Sequence, residues 1–201
     1  RLSKAHLVIT NQAMLLADAR TEGRVLPSFD AVVIDEAHNL EDVATNAYSH
    51  VLNRREFLAY YRTGVQLQNV LRELVPEYVV QDLYLTLDHL VREAGQYFSQ
   101  IESLITRPTV PLTPQNLPAF SQTTLGKHLK DVQELLKECG LDEEGEALGL
   151  AEQFSAFTTR LLDDLELILS GADPSFTYWA DIQNGEPCLN AAPIQIGTLL
   201  Q

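Results

Sequence analysis

Apolar and polar positions divide the chain into three stretches with different periods. The first is strand-like. His6–Thr10 (HLVIT) is a short β-branched run ending at Asn11, which predicts a buried strand. Gln12–Ala19 predicts a short helix with Met14, Leu15 and Leu16 on its packed side. Glu22–Ser28, with Gly23 and Pro27, predicts a turn. Ala31–Ile34 (AVVI) predicts a second buried strand, because it is too short and too β-branched for a helix. It runs directly into Asp35, Glu36, Ala37 and His38, after which Asn39 is placed to cap a helix over about Leu40–Ala47.

From Arg54 to Leu169 the period becomes helical. Leu83, Leu87, Leu90, Ala94, Tyr97, Ile101 and Leu104 recur at alternating steps of four and three, and Ala147, Leu150, Phe154, Phe157, Leu161, Leu165 and Ile168 recur at steps of three or four. Each series is one apolar stripe on a long amphipathic helix. Shorter helices are predicted over Arg54–Leu74 and Thr124–Glu138. Four prolines between Arg107 and Pro118 exclude a helix there and predict an extended surface connection. Gly140–Gly145 reads as an acidic turn.

The last stretch returns to strands. Phe176–Ile182 and Pro187–Ala191 flank Asn184–Gly185, a strong hairpin signal, and Ile194, Ile196 and Leu199–Leu200 lead onward. The order of strands, helical block and strands predicts a mainly α, α+β chain in which a helical insertion (residues 48–172) interrupts a sheet domain (1–47 and 173–201).

Charge changes this picture most. The net charge is −14, and residues 41–172 hold ten Lys/Arg against twenty Asp/Glu. A surface this acidic repels phosphate backbones at long range, so any DNA contact must be local or be made by other parts of the protein. The 45% apolar content suffices for a sizeable core. The apolar runs fall far short of the ~20 residues that span a bilayer, and no signal peptide is evident. A cytoplasmic protein with no membrane partner is therefore expected. The chain begins at Arg1 rather than Met and reads as a piece of a longer protein. Cys139 and Cys188 are the only cysteines and lie far apart, so they read as buried free thiols in a reducing compartment.

The strongest chemical signal is the acid pair that follows AVVI. In nucleotide hydrolases a buried strand gives a rigid platform at a sheet edge. There the first carboxylate holds Mg²⁺, largely through water, and the second polarises the attacking water. Asp35 and Glu36 are adjacent, so on an ideal strand they would face opposite ways. The chain must turn at this point for both to reach one ligand.

These residues carry a family resemblance. AVVIDEAHNL (Ala31–Leu40) resembles motif II, the Walker B box, of DEAH-type superfamily 2 helicases. HLVITNQAMLL (His6–Leu16) resembles the T-N-H strand and helix that precede that box in the DinG/XPD group, with Gln12 where the group has histidine. LNAAPIQIGTLL (Leu189–Leu200) is similar to the segment where that group's chain re-enters the first motor domain after a helical arch. The helical block matches by position and character rather than by motif.

The resemblance implies an ATP-dependent DNA helicase of DNA repair, nucleoid-associated if bacterial, with ATP and Mg²⁺ as cofactors and single-stranded or forked DNA as partner. Asp35 would ligate Mg²⁺, Glu36 would be the catalytic base, and His38 would couple the ATP site to DNA. Asn11 would serve the T-N-H segment's DNA-binding role. The family's iron–sulfur cysteines lie upstream of the T-N-H segment, so any such cluster would be held outside these residues. No G-x-x-x-x-G-K-[ST] phosphate loop occurs in the sequence, so this stretch alone is expected not to hydrolyse ATP.

Plainer readings stand beside these. Asp35 and Glu36 could be solvated acids favoured by a helix start, His38 a surface histidine, and Asn11 a strand-end cap. His6, His50, His89 and His128 have no metal-ligand spacing. Arg54, Arg55, Tyr60, Tyr61 and Arg62 form a basic–aromatic cluster that could stack on single-stranded DNA, or could be an ordinary amphipathic face. The helical stripes read as mutual core, with a protein-docking or regulatory module that never touches DNA as the alternative. Tyr178 and Trp179 read as packing anchors.

Overall fold

The computed structural model describes residues 5–20, 24–139 and 146–195. In order these form α1 (Gln12–Arg20), a 3-10 turn (Ala37–Asn39), α2 (Leu40–Tyr48), β1 (His50–Asn53), α3 (Arg54–Leu71), α4 (Glu77–Leu104), β2 (Thr109–Pro111), α5 (Leu117–Phe120), α6 (Leu125–Glu138), α7 (Glu146–Ser170), β3 (Phe176–Gln183) and β4 (Glu186–Pro193). The fold is mainly helical α+β, with one antiparallel sheet in the order β1-β4-β3-β2. The Gly140–Gly145 turn and the exit through Ile196 and Leu199–Leu200 lie outside the described residues, as does the start of the Glu22–Ser28 turn.

The chain separates into two compact units. One comprises residues 1–49, 174–177 and 192–201, and the other residues 50–173 and 178–191.

In the larger unit, α3 packs on α4, α4 on α6, α6 on α7 and α7 back on α3, which closes a four-helix ring. The predicted stripes face inward. Leu83, Leu87, Leu90, Ala94, Tyr97 and Ile101 of α4 are buried, and so are Phe154, Leu161, Leu165 and Ile168 of α7. Tyr60 stacks on Phe154 with ring centroids 4.5 Å apart. One turn on, a Cβ at Gly64 would stand 2.6 Å from Leu87 Cδ1 and 2.9 Å from Phe154 Cζ, so the helices approach closely there.

Caps set the helix starts. Asn53 Oδ1 accepts from Arg55 N (2.9 Å) and Glu56 N (3.1 Å) and begins α3. The start of α6 is capped from another helix, because Glu93 of α4 accepts from Thr124 N at 2.6 Å.

Asn184 (φ 51°) and Gly185 (φ 77°) form the expected tight turn between β3 and β4, both central residues having the positive φ that a type I′ hairpin needs. β1 lies antiparallel to β4 with His50 opposite Ala191 and Asn53 opposite Cys188. The proline-rich connection is not wholly irregular. It carries β2, a three-residue edge strand paired with β3, and the short helix α5. An edge strand tolerates Pro111 because one row of its backbone groups needs no ladder partner.

Two predicted strands are absent. His6–Thr10 and Ala31–Ile34 join no sheet among the described residues, and neither is buried: Ile9 is 89% and Val33 96% exposed. β-branched side chains favour extended backbone, but a strand is fixed only by ladder neighbours at ~4.8 Å. The smaller unit instead gains its packing from α1 against α2, where Leu16 and Ala44 are buried and Leu40, Val43, Ala47 and Tyr48 close round them. Met14, expected on the packed side of α1, is exposed.

Candidate functional site

The acid pair sits at a sharp turn between the β-branched run 31–34, which joins no sheet among the described residues, and α2. Glu36 has φ 52° and ψ 42°, the left-handed region that costs an L-residue ~1–2 kcal/mol. Asp35 Oδ1 accepts from Glu36 N at 3.0 Å, and Asn39 N donates to Glu36 O at 2.9 Å. The chain therefore turns sharply at the acid pair. The helix that follows, Leu40–Tyr48, begins where expected. Asn39, however, makes no side-chain cap bond. The 3-10 turn feeds the chain into the helix already coiled, leaving Asn39 in a helical backbone conformation rather than the extended one a capping side chain uses.

Behind the turn stands Gln12, the first residue of α1. Its Nε2 donates to Asp35 O at 2.7 Å and to Glu36 O at 3.3 Å. Asn11 is the side-chain cap of that helix, its Oδ1 accepting from Met14 N at 2.8 Å. In front, His38 Nδ1 lies 3.3 Å from Glu36 Oε2, and both side chains are exposed. One further carboxylate organises this unit: Asp18 is buried and accepts from Val25 N (2.8 Å) and Leu26 N (2.7 Å). Asp35, Glu36 and His38 thus come together on one exposed turn, with Asn11 and Gln12 supporting it.

The residues fit hydrated Mg²⁺ in kind. Asp35 presents an exposed carboxylate, and magnesium takes one or two such groups while keeping its waters. Among the described residues there is no cluster of three or more His, Cys, Asp or Glu that could hold a metal ion.

The basic–aromatic cluster resolves residue by residue. Tyr60 does not belong to it: the ring is fully buried and its hydroxyl hydrogen-bonds Thr158 Oγ1 at 2.8 Å. Burial pushes the Tyr60 hydroxyl well above the usual phenol range, against the smaller opposing effect of the Thr158 bond. Arg54 donates to Ser99 Oγ at 3.3 Å, but its Nε is buried without a partner. Arg55 lies 3.9 Å from Glu186 and reaches Asn184 O at 3.5 Å. Tyr61 is half-buried and Arg62 exposed.

Two of the scattered histidines engage carboxylates. His50 Nδ1 lies 2.5 Å from the buried Asp164, which also faces Arg160, and His128 Nε2 lies 3.0 Å from Glu93. Cys139 and Cys188 are free and buried, and burial raises both thiols above their ordinary value. Among the described residues no helix is long and apolar enough to cross a membrane. Sequence reasoning missed the clamping role of Gln12; the signal available was an amide two residues after a strand-like run and ahead of an acid pair.

No protein-family model matches the sequence, and no curated protein is significantly similar to it.

Proposed function

We propose that this chain is part of an ATP-driven, DinG/XPD-like DNA helicase, comprising the motif II region of the first motor domain and a helical arch. The observation that carries the reading is the turn itself. A β-branched run that forms no strand among the described residues leads Asp35 and Glu36 into a left-handed bend that is backed by Gln12 and continues at once into a helix. Four exposed apolar side chains, Leu7, Ile9, Val32 and Val33, support it as well. Parallel motor strands are apolar on both faces, and such runs stay uncovered until their neighbours are present.

On this reading Asp35 would hold hydrated Mg²⁺, which supplies charge neutralisation at the transferring phosphate. Glu36 would accept the proton of the attacking water, and His38, 3.3 Å from that carboxylate, would sense its state. Arg54, Arg55, Tyr61 and Arg62 would give local contacts to single-stranded DNA.

The test uses the full-length protein. Glu36→Gln is expected to lower DNA-stimulated ATP turnover by ~10²–10⁴-fold while nucleotide still binds, the usual worth of a general base. Full turnover in that variant would end the motor assignment.

A second reading has its own observation. Leu74, Tyr78 and Leu85 are exposed around the α3–α4 junction, interleaved with Glu73, Glu77 and Asp82. An apolar patch with acidic neighbours suits a protein partner better than a phosphate backbone. Crosslinking of the full-length protein on forked DNA separates the two readings. Adducts within residues 54–169 are expected if the block gates the strand, and their absence favours docking.

A further inference from the structure

We propose that Gln12 is the positioning residue of the acidic turn, setting the direction of the Glu36 carboxylate without touching it; this rests on the reading of that turn as the ATP site. The two carbonyls that receive its amide, those of Asp35 and Glu36, bracket the φ and ψ of Glu36. Holding both fixes the two soft dihedrals between them, and with them the Cα–Cβ direction of the acid. A carboxamide has two N–H donors, enough for the pair.

Glu36 needs such a restraint. Its left-handed backbone is unfavourable for a side chain bearing Cβ and persists only where the surroundings over-determine it. The bonds local to the turn, from Glu36 N to Asp35 Oδ1 and from Asn39 N to Glu36 O, move with the turn itself. Gln12 alone among the described partners reaches it from a distant part of the sequence, and it does so from an anchored base. Asn11 caps α1, and α1 packs on α2, the helix that leaves the turn. The arrangement therefore links the T-N-H-like segment to the acids through backbone rather than through a side-chain relay.

Two measurements test this. In the 201-residue chain, Gln12→Met keeps side-chain length and helix propensity while removing the donor. The Glu36 Cα and Cβ chemical shifts are expected to leave the left-handed range while those of the helical block stay put. In the full-length protein, Gln12→Met and Gln12→Glu are expected to lower kcat about tenfold, the worth of an oriented hydrogen bond, with KM for ATP unchanged. Gln12→His, which restores a ring N–H of similar reach, is expected to recover most of kcat. Unchanged Glu36 shifts, or unchanged kcat in both donor-free variants, would overturn the proposal while leaving the site reading intact. Glu36→Gln at full turnover would instead remove the site reading and this inference together.

Discussion

The acidic turn and the four-helix ring obey the same physical rules with opposite outcomes. In the ring, every apolar stripe finds its complement within the same unit, and Tyr60, Leu67, Leu87 and Phe154 lose all contact with water. Around the turn, Leu7, Ile9 and Val33 stay exposed, and Leu16 and Ala44 are the buried centre of the only apolar cluster formed by α1 and α2 among the described residues. Amphipathic helices satisfy their backbones internally and need only one covered face. An extended run needs partners on both edges and both faces before its apolar side chains are hidden. The difference separates a unit whose apolar stripes are covered from one that leaves apolar side chains exposed.

The largest effect that would break this contrast is in the ring. Phe154→Ala is expected to lower unfolding stability by ~3–5 kcal/mol in chemical denaturation, because the cavity opens against Tyr60 and beside Gly64. Leu16→Ala should leave the ring's denaturation midpoint in place and raise amide exchange only in α1 and α2. A matching midpoint shift from Leu16→Ala would show that the two regions unfold as one.

A smaller effect concerns acid. Burial alone would raise the Glu93 carboxyl, but hydrogen bonds from the Thr124 hydroxyl, Thr124 N and the Thr123 hydroxyl, with the nearby His128, outweigh it and hold the group below its ordinary 4.5. A carboxylate held low in the folded state stabilises it fully above its unfolded value, and that contribution disappears as pH falls through the folded value. The α4–α6 junction is therefore expected to weaken below about pH 4.5. Glu93→Gln should flatten the acid limb of a stability–pH curve. An unchanged limb would deny Glu93 its cap role.

How much was legible in the sequence follows the same divide. The long helices were readable because their 3.6 period is local, and the hairpin because Asn184–Gly185 names its own turn. α2 was read from Asn39 as a cap, and it begins at Leu40 although that side chain makes no cap bond. β1 escaped notice because HVLN is four residues with no alternation of its own; its partner, β4, is more than a hundred residues away. β2 hid among prolines. Tyr60 was drawn into a surface cluster, although its spacing with Phe57, Gly64, Leu67 and Leu71 marks the buried face of α3. At the site, residue types pointed to Asp35, Glu36 and His38, but the left-handed bend and its Gln12 clamp depend on a contact across 23 positions that no local pattern encodes.

The rung that pairs His50 with Ala191 has a topological consequence. Opposed residues of an antiparallel ladder sit ~4.5–5.5 Å apart. The excursion through all four long helices thus leaves and returns across a single strand spacing. The two ends of this excursion are stubs side by side, the geometry in which a stretch of chain can be swapped or trimmed to a short loop without separating the strands that bound it. The helices between those ends can be lengthened or remodelled at little cost to the β1–β4 ladder.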